Sequence, residues 1–66
     1  MYLADVYYFG AKQDFLFRAV RCVPGKNPDA IRKLVQENPD TDLLGTKPSY
    51  ATVISKEFNP VMVVFK

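Results

Sequence analysis

A small α+β domain, one four-stranded mixed or antiparallel sheet with a single helix on one face, is the fold class the sequence predicts. Three observations carry it. Four runs rich in aromatic and branched residues are separated by glycine, proline and polar clusters. One segment between the second and third runs has a capped, amphipathic helical pattern. The length, 66 residues, allows one domain, 1–66, and one small core.

The first strand is expected at Tyr2 to Phe9. Gly10 to Asp14 is polar with a leading glycine and suits a hairpin loop, and Phe15 to Val23 reads as the second strand, ended by Pro24-Gly25. Asn27-Pro28-Asp29 then places a capping side chain at the N-cap, proline at the first helical position and an acid in the first turn. Ile31, Leu34 and Val35 follow at helical spacing, with Arg32, Lys33, Gln36 and Glu37 expected to face away, and Asn38-Pro39 stops the helix. The same Asn-Pro-Asp triplet recurs at 38–40, but Gly45 and Pro48 soon interrupt it, so 39–48 reads as a loop with at most one helical turn. Ser49 to Lys56 is the third predicted strand, Glu57 to Pro60 its connection, and Val61 to Phe65 the fourth.

Two hairpins joined by a crossing helix make one sheet with the helix on one face. If the most apolar strands, the first and last, lie side by side and parallel at its centre, the order is 2-1-4-3, a β-grasp-like arrangement. Asp5 marks the face of strand 1 that points away from the core, so Ala4, Val6 and Tyr8 should meet the helix. Leu3, Tyr7 and Phe9 are left on the open face.

Val61-Met62-Val63-Val64-Phe65 is apolar at five consecutive positions, a pattern that implies cover on both faces of the strand. One helix covers one face only. Either segment 39–48, with Leu43 and Leu44, folds over part of the other, or something outside the chain does. A domain of this size buries only about 60% of the surface its unfolded chain exposes, so uncovered apolar area weighs heavily in its stability. Disulfides and the usual zinc sets offer no help, because Cys22 is the only cysteine and histidine is absent. Oligomerisation or a tight partner is the remaining route to added stability.

The chemistry-bearing residues are sparse. Asp40 and Asp42 read as solvated loop acids, because the further ligands of a calcium loop are missing. Cys22, in a strand without an activating base, reads as a small buried hydrophobe. Gly10 and Gly25 build no phosphate loop. An enzyme, a cofactor and a metal are therefore not expected. The lone cysteine, and the lack of an export leader or of about 20 consecutive apolar residues, lead to the expectation of a cytoplasmic protein without a membrane anchor.

Nine basic and seven acidic side chains give a net charge of +2. Segment 12–33 holds Lys12, Arg18, Arg21, Lys26, Arg32 and Lys33 against Asp14 and Asp29, a local balance of +4. The leading functional expectation is a small non-enzymatic protein-binding module. It would act as a regulator or inhibitor by occupying a surface of a larger protein, with the economy of compact bacteriophage inhibitors. It would also self-associate as a homodimer through the open sheet face. Tyr7, Phe9, Phe15, Phe17, Arg18 and Arg21 are its expected partner-binding residues. The alternative is a small nucleic-acid-binding domain, with sheet aromatics stacking on bases and the basic residues of 12–33 meeting phosphate. Against it, Phe15 to Val20 lacks the glycine-aromatic pattern of RNA-binding sheets.

Overall fold

A computed structural model describes residues 1–40, 45 and 47–65. Its elements are β1 (Tyr2–Phe9), β2 (Phe15–Val23), α1 (Pro28–Glu37), β3 (Tyr50–Ser55) and β4 (Phe58–Val64). The expected α+β class, the β-β-α-β-β order and the single helix on one face of a four-stranded sheet are all present. Leu43 and Leu44, the loop residues that could fold over part of the open sheet face, lie outside the described residues.

Local chemistry accounts for the helix. The Asn27 side chain accepts a hydrogen bond from the Asp29 N–H at 2.9 Å, and Pro28 needs no such partner because it has no N–H. At the other end the Asn38 N–H donates to the Leu34 carbonyl at 2.9 Å, and Pro39 prevents another turn. The β1–β2 hairpin closes through Gly10 N–H to Asp14 O at 2.8 Å and Gln13 N–H to Gly10 O at 3.0 Å. Gln13 takes the left-handed conformation that this loop requires, with φ +64°.

The sheet is antiparallel throughout, in the order β2-β1-β3-β4. It keeps the hairpin–helix–hairpin plan of a β-grasp-like fold. The second hairpin, however, is turned so that β3, not β4, lies beside β1, and the expected 2-1-4-3 order is corrected accordingly. Two physical reasons favour this. β4 begins at Phe58 and runs through Pro60, which cannot donate to a ladder and is therefore confined to edge strands or bulges. The β3–β4 register indeed shifts between Val53 and Ser55, where Val53 pairs with Val61 and Ser55 with Phe58. In addition, β3 sets the small Ala51 opposite Tyr8 and stacks Tyr50 on Phe9, with ring centroids 5.0 Å apart.

The helix packs mainly against β4 and also closes that strand's outer edge. Arg32 Nε donates to the Met62 carbonyl at 3.1 Å, and Gln36 Nε2 donates to the Val64 carbonyl at 2.9 Å. Both were expected to face away; instead they cover the exposed backbone of an edge strand, a recurrent protection against unwanted pairing. The buried core lies between helix and sheet and comprises Ala4, Val6, Tyr8, Val23, Ile31, Val35, Ala51, Val53, Val61 and Val63.

Beside the helix, the core closes around Tyr8. Its ring stacks on Phe17 at 4.5 Å and faces Phe65 at 6.0 Å. Its hydroxyl donates to Asp40 Oδ2 at 2.6 Å and accepts from the Asp40 N–H at 2.9 Å. Arg21 completes the cluster, donating to the Asn38 carbonyl at 2.6 Å and lying 3.4 Å from Asp40 Oδ2. Burial, aided by the Asp40 carboxylate, pushes the Tyr8 phenol up from its ordinary 10 to about 12. The folded state therefore resists ionisation of this group more than the unfolded chain does. The stability it contributes is complete below pH 10 and is lost as pH rises from 10 through 12. Alkaline unfolding of the wild type should steepen in that window, and Tyr8→Phe should show a flatter profile there. Tyrosinate absorbance should likewise lose a phenol ionising near pH 12 in Tyr8→Phe.

Candidate functional site

The helix and core account for one face of the sheet. The other is built by the alternate positions of the same strands, and the pairing register sets it out in rows. Phe15, Phe9, Tyr50 and Val64 form the first row, and Arg18, Tyr7, Thr52 and Met62 the second. Val20, Asp5 and Ile54 form the third, and Cys22 with Leu3 the fourth. Large apolar side chains dominate and are open to solvent: Leu3 is 66% exposed, Phe15 and Val20 57%, Val64 55%, Met62 52% and Ile54 41%. A shallow depression of about 530 Å³, lined by Gln13, Ser49, Tyr50, Met62 and Val64, occupies the corner over β3 and β4.

Of the six expected contact residues, the structure brings four together on this face. Tyr7, Phe9 and Phe15 form an aromatic group, with Phe15 6.2 Å from Tyr7 and 6.0 Å from Phe9 between ring centroids. Arg18 sits opposite Tyr7 and is exposed. The other two, Phe17 and Arg21, are on the helix side: Phe17 stacks on Tyr8, and Arg21 is held by Asn38 and Asp40. Ordinary alternation parts Arg18 from Arg21, and a register shift parts Phe15 from Phe17. Tyr8 pairs with Phe17 but Phe9 pairs with Phe15, so Leu16 is an extra residue, and Phe15 is carried to the opposite face from the one strict alternation gives.

Sequence reasoning named Leu3 as open but missed Val20, Ile54, Met62 and Val64 as parts of the site. Once Asp5 marks the outward face of β1, the first hairpin assigns Val20 to the open face; Ile54, Met62 and Val64 follow only from the placing of β3 beside β1 and of β4 at the edge. Cys22 is corrected as well. It is exposed and pairs with Leu3 on the open face, instead of being a buried hydrophobe. The apolar run Val61 to Phe65 divides in the same manner, with Val61 and Val63 buried and Met62 and Val64 in solvent.

Most of the basic residues of segment 12–33 stand outside the rows of the aromatic group. Arg18 alone stands in its rows; Arg32 is held by Met62 and Asp29, and Lys26 lies over the Tyr2 ring at 5.5 Å. Asp40 is engaged by Tyr8 and Arg21, and Asp42 lies outside the described residues. Among the described residues, no three cysteine, aspartate or glutamate side chains gather as a metal-binding set, and no helix is long and apolar enough to cross a membrane. Compared with family models, curated proteins and solved structures, the chain matches none.

Proposed function

We propose that this chain is a small non-enzymatic protein-binding module, a regulator or inhibitor that covers a surface of a larger protein with the open face of its sheet. One observation carries the reading: six large apolar side chains, from Leu3 to Val64, lie 41–66% exposed on a single sheet face. Scattered exposed hydrophobics are ordinary, but a continuous face of them is the usual mark of a contact surface. Dispersal of the basic residues favours a protein target over nucleic acid, whose binding rests on clustered cations at phosphate.

Affinity capture from host lysate, with and without nuclease, tests this. The expected result is a protein retained after nuclease treatment, retained equally by Lys33→Glu on the helix, and lost by Phe15→Thr/Met62→Thr/Val64→Thr on the open face. Nuclease-sensitive capture, or capture indifferent to the open-face substitutions, would overturn the reading.

A further inference from the structure

Resting on that reading of the open face as a protein contact surface, we infer that its occupant in the absence of a target is a second copy of this chain. The two copies are related by a twofold axis running across the strands, with Asp5 of each against Arg18 of the other.

Charge placement selects this arrangement. Within the paired rows of the open face, Asp5 and Arg18 are the only charged side chains, and they are of opposite sign. Arg18 lies opposite Tyr7 and Asp5 opposite Val20, so the two charges sit on neighbouring strands one row apart. The ion pairs among the described residues, Arg21 with Asp40 and Arg32 with Asp29, involve neither. A twofold axis between these two rows, perpendicular to the strands, lays β1 on β1 and reverses the rows. Asp5 of one copy then lies over Tyr7 of the other, about 4.8 Å sideways from Arg18. Facing sheets stand about 10 Å apart, a gap that an arginine and an aspartate reaching from opposite sides can span. Twofold symmetry makes the contact twice.

The competing axis, along the strands, fails on the same residues. It would lay Asp5 over Ile54 and Arg18 over Met62, which separates the two charges and buries Arg18 against an apolar side chain without a partner.

Size is compatible as well. Four strands at about 4.8 Å and seven residues at about 3.4 Å give a face of about 19 by 24 Å. Two such faces cover about 900 Å² in total, just under the roughly 1,000 Å² that a stable specific interface clears and in the range of weak, transient contacts. A dimer of that size is exchangeable, so a target with a better-fitting surface displaces the second copy, and self-association sets the concentration of free face.

Charge reversal tests the arrangement by sedimentation equilibrium, with circular dichroism to verify folding. Asp5→Arg and Arg18→Asp should each weaken dimerisation at least tenfold, and the double reversal should restore it to within about threefold of wild type, since it only exchanges the partners of each pair. A wild-type chain that stays monomeric to millimolar concentration would overturn the inference. So would a dimer that the single reversals leave unchanged, or one that the double reversal fails to restore. A monomeric chain that still captures a protein through its open face would remove this inference and leave the binding function standing.

Discussion

Tyr8→Ala should leave the chain without a cooperative unfolding transition at 25 °C. The ring is fully buried, stacked at 4.5 Å on Phe17 and facing Phe65, and its hydroxyl both donates to and accepts from Asp40. Removing a buried aromatic side chain costs about 3–5 kcal/mol, because little of the cavity collapses. The Asp40 N–H also loses its partner, at about 1–3 kcal/mol if it remains shielded from water. A single core in a chain below about 70 residues seldom supplies more than about 3–5 kcal/mol in all. The loss therefore equals or exceeds the stability of the domain. Urea titration followed by circular dichroism should show a sloping line in place of a sigmoid. A sigmoid with a midpoint near that of wild type would contradict the packing described around Tyr8.

The opposite pattern is expected on the other face. Phe15→Thr/Met62→Thr/Val64→Thr should weaken target binding at least 100-fold and leave the unfolding midpoint nearly unchanged. The three side chains are 52–57% exposed in the free chain, and threonine keeps the strand preference of these positions. Their contribution is realised only when a partner excludes water from them. At about 25 cal/mol per Å², the area they still expose is worth about 1 kcal/mol each, or about 3 kcal/mol together. Every 1.4 kcal/mol is tenfold in affinity, so the combined loss exceeds 100-fold. Isothermal titration against the captured target measures this directly. A large fall in stability with unchanged affinity would mean that these residues serve the fold instead of a partner.

Much of this architecture is legible in the sequence, and the reason is physical. Asn27-Pro28-Asp29 and Asn38-Pro39 set the helix at Pro28–Glu37 because capping and proline chemistry act locally. The first two strands are legible for the same kind of reason, since Gly10 to Asp14 separates them and Pro24-Gly25 ends the second. Asp5 identified the outward face of β1 because an unpaired charge is rarely buried. Reading fails where the decision is non-local. Composition placed the most apolar strand at the sheet centre, yet Pro60 and a bulge hold β4 at an edge, where Arg32 and Gln36 close its backbone. The one-residue shift opposite Tyr8 and Phe9 has no mark in β2 itself, so Phe15 and Phe17 could not be separated by alternation. Arg21 has the sequence context of a surface cation because Asn38 and Asp40, its hydrogen-bonding partners, are distant in sequence.

The native thiol of Cys22 offers the most direct test of the central claim, that the open sheet face is covered by protein. It is exposed, lies in the row of Leu3, and needs no substitution to serve as a probe. The measurement is its alkylation rate in the captured complex compared with that in the dilute free chain, with Lys33→Cys on the helix as an internal control. Cys22 should react at least tenfold more slowly in the complex while the control is unchanged. Equal Cys22 rates in both states, or protection confined to the helix, would contradict the account.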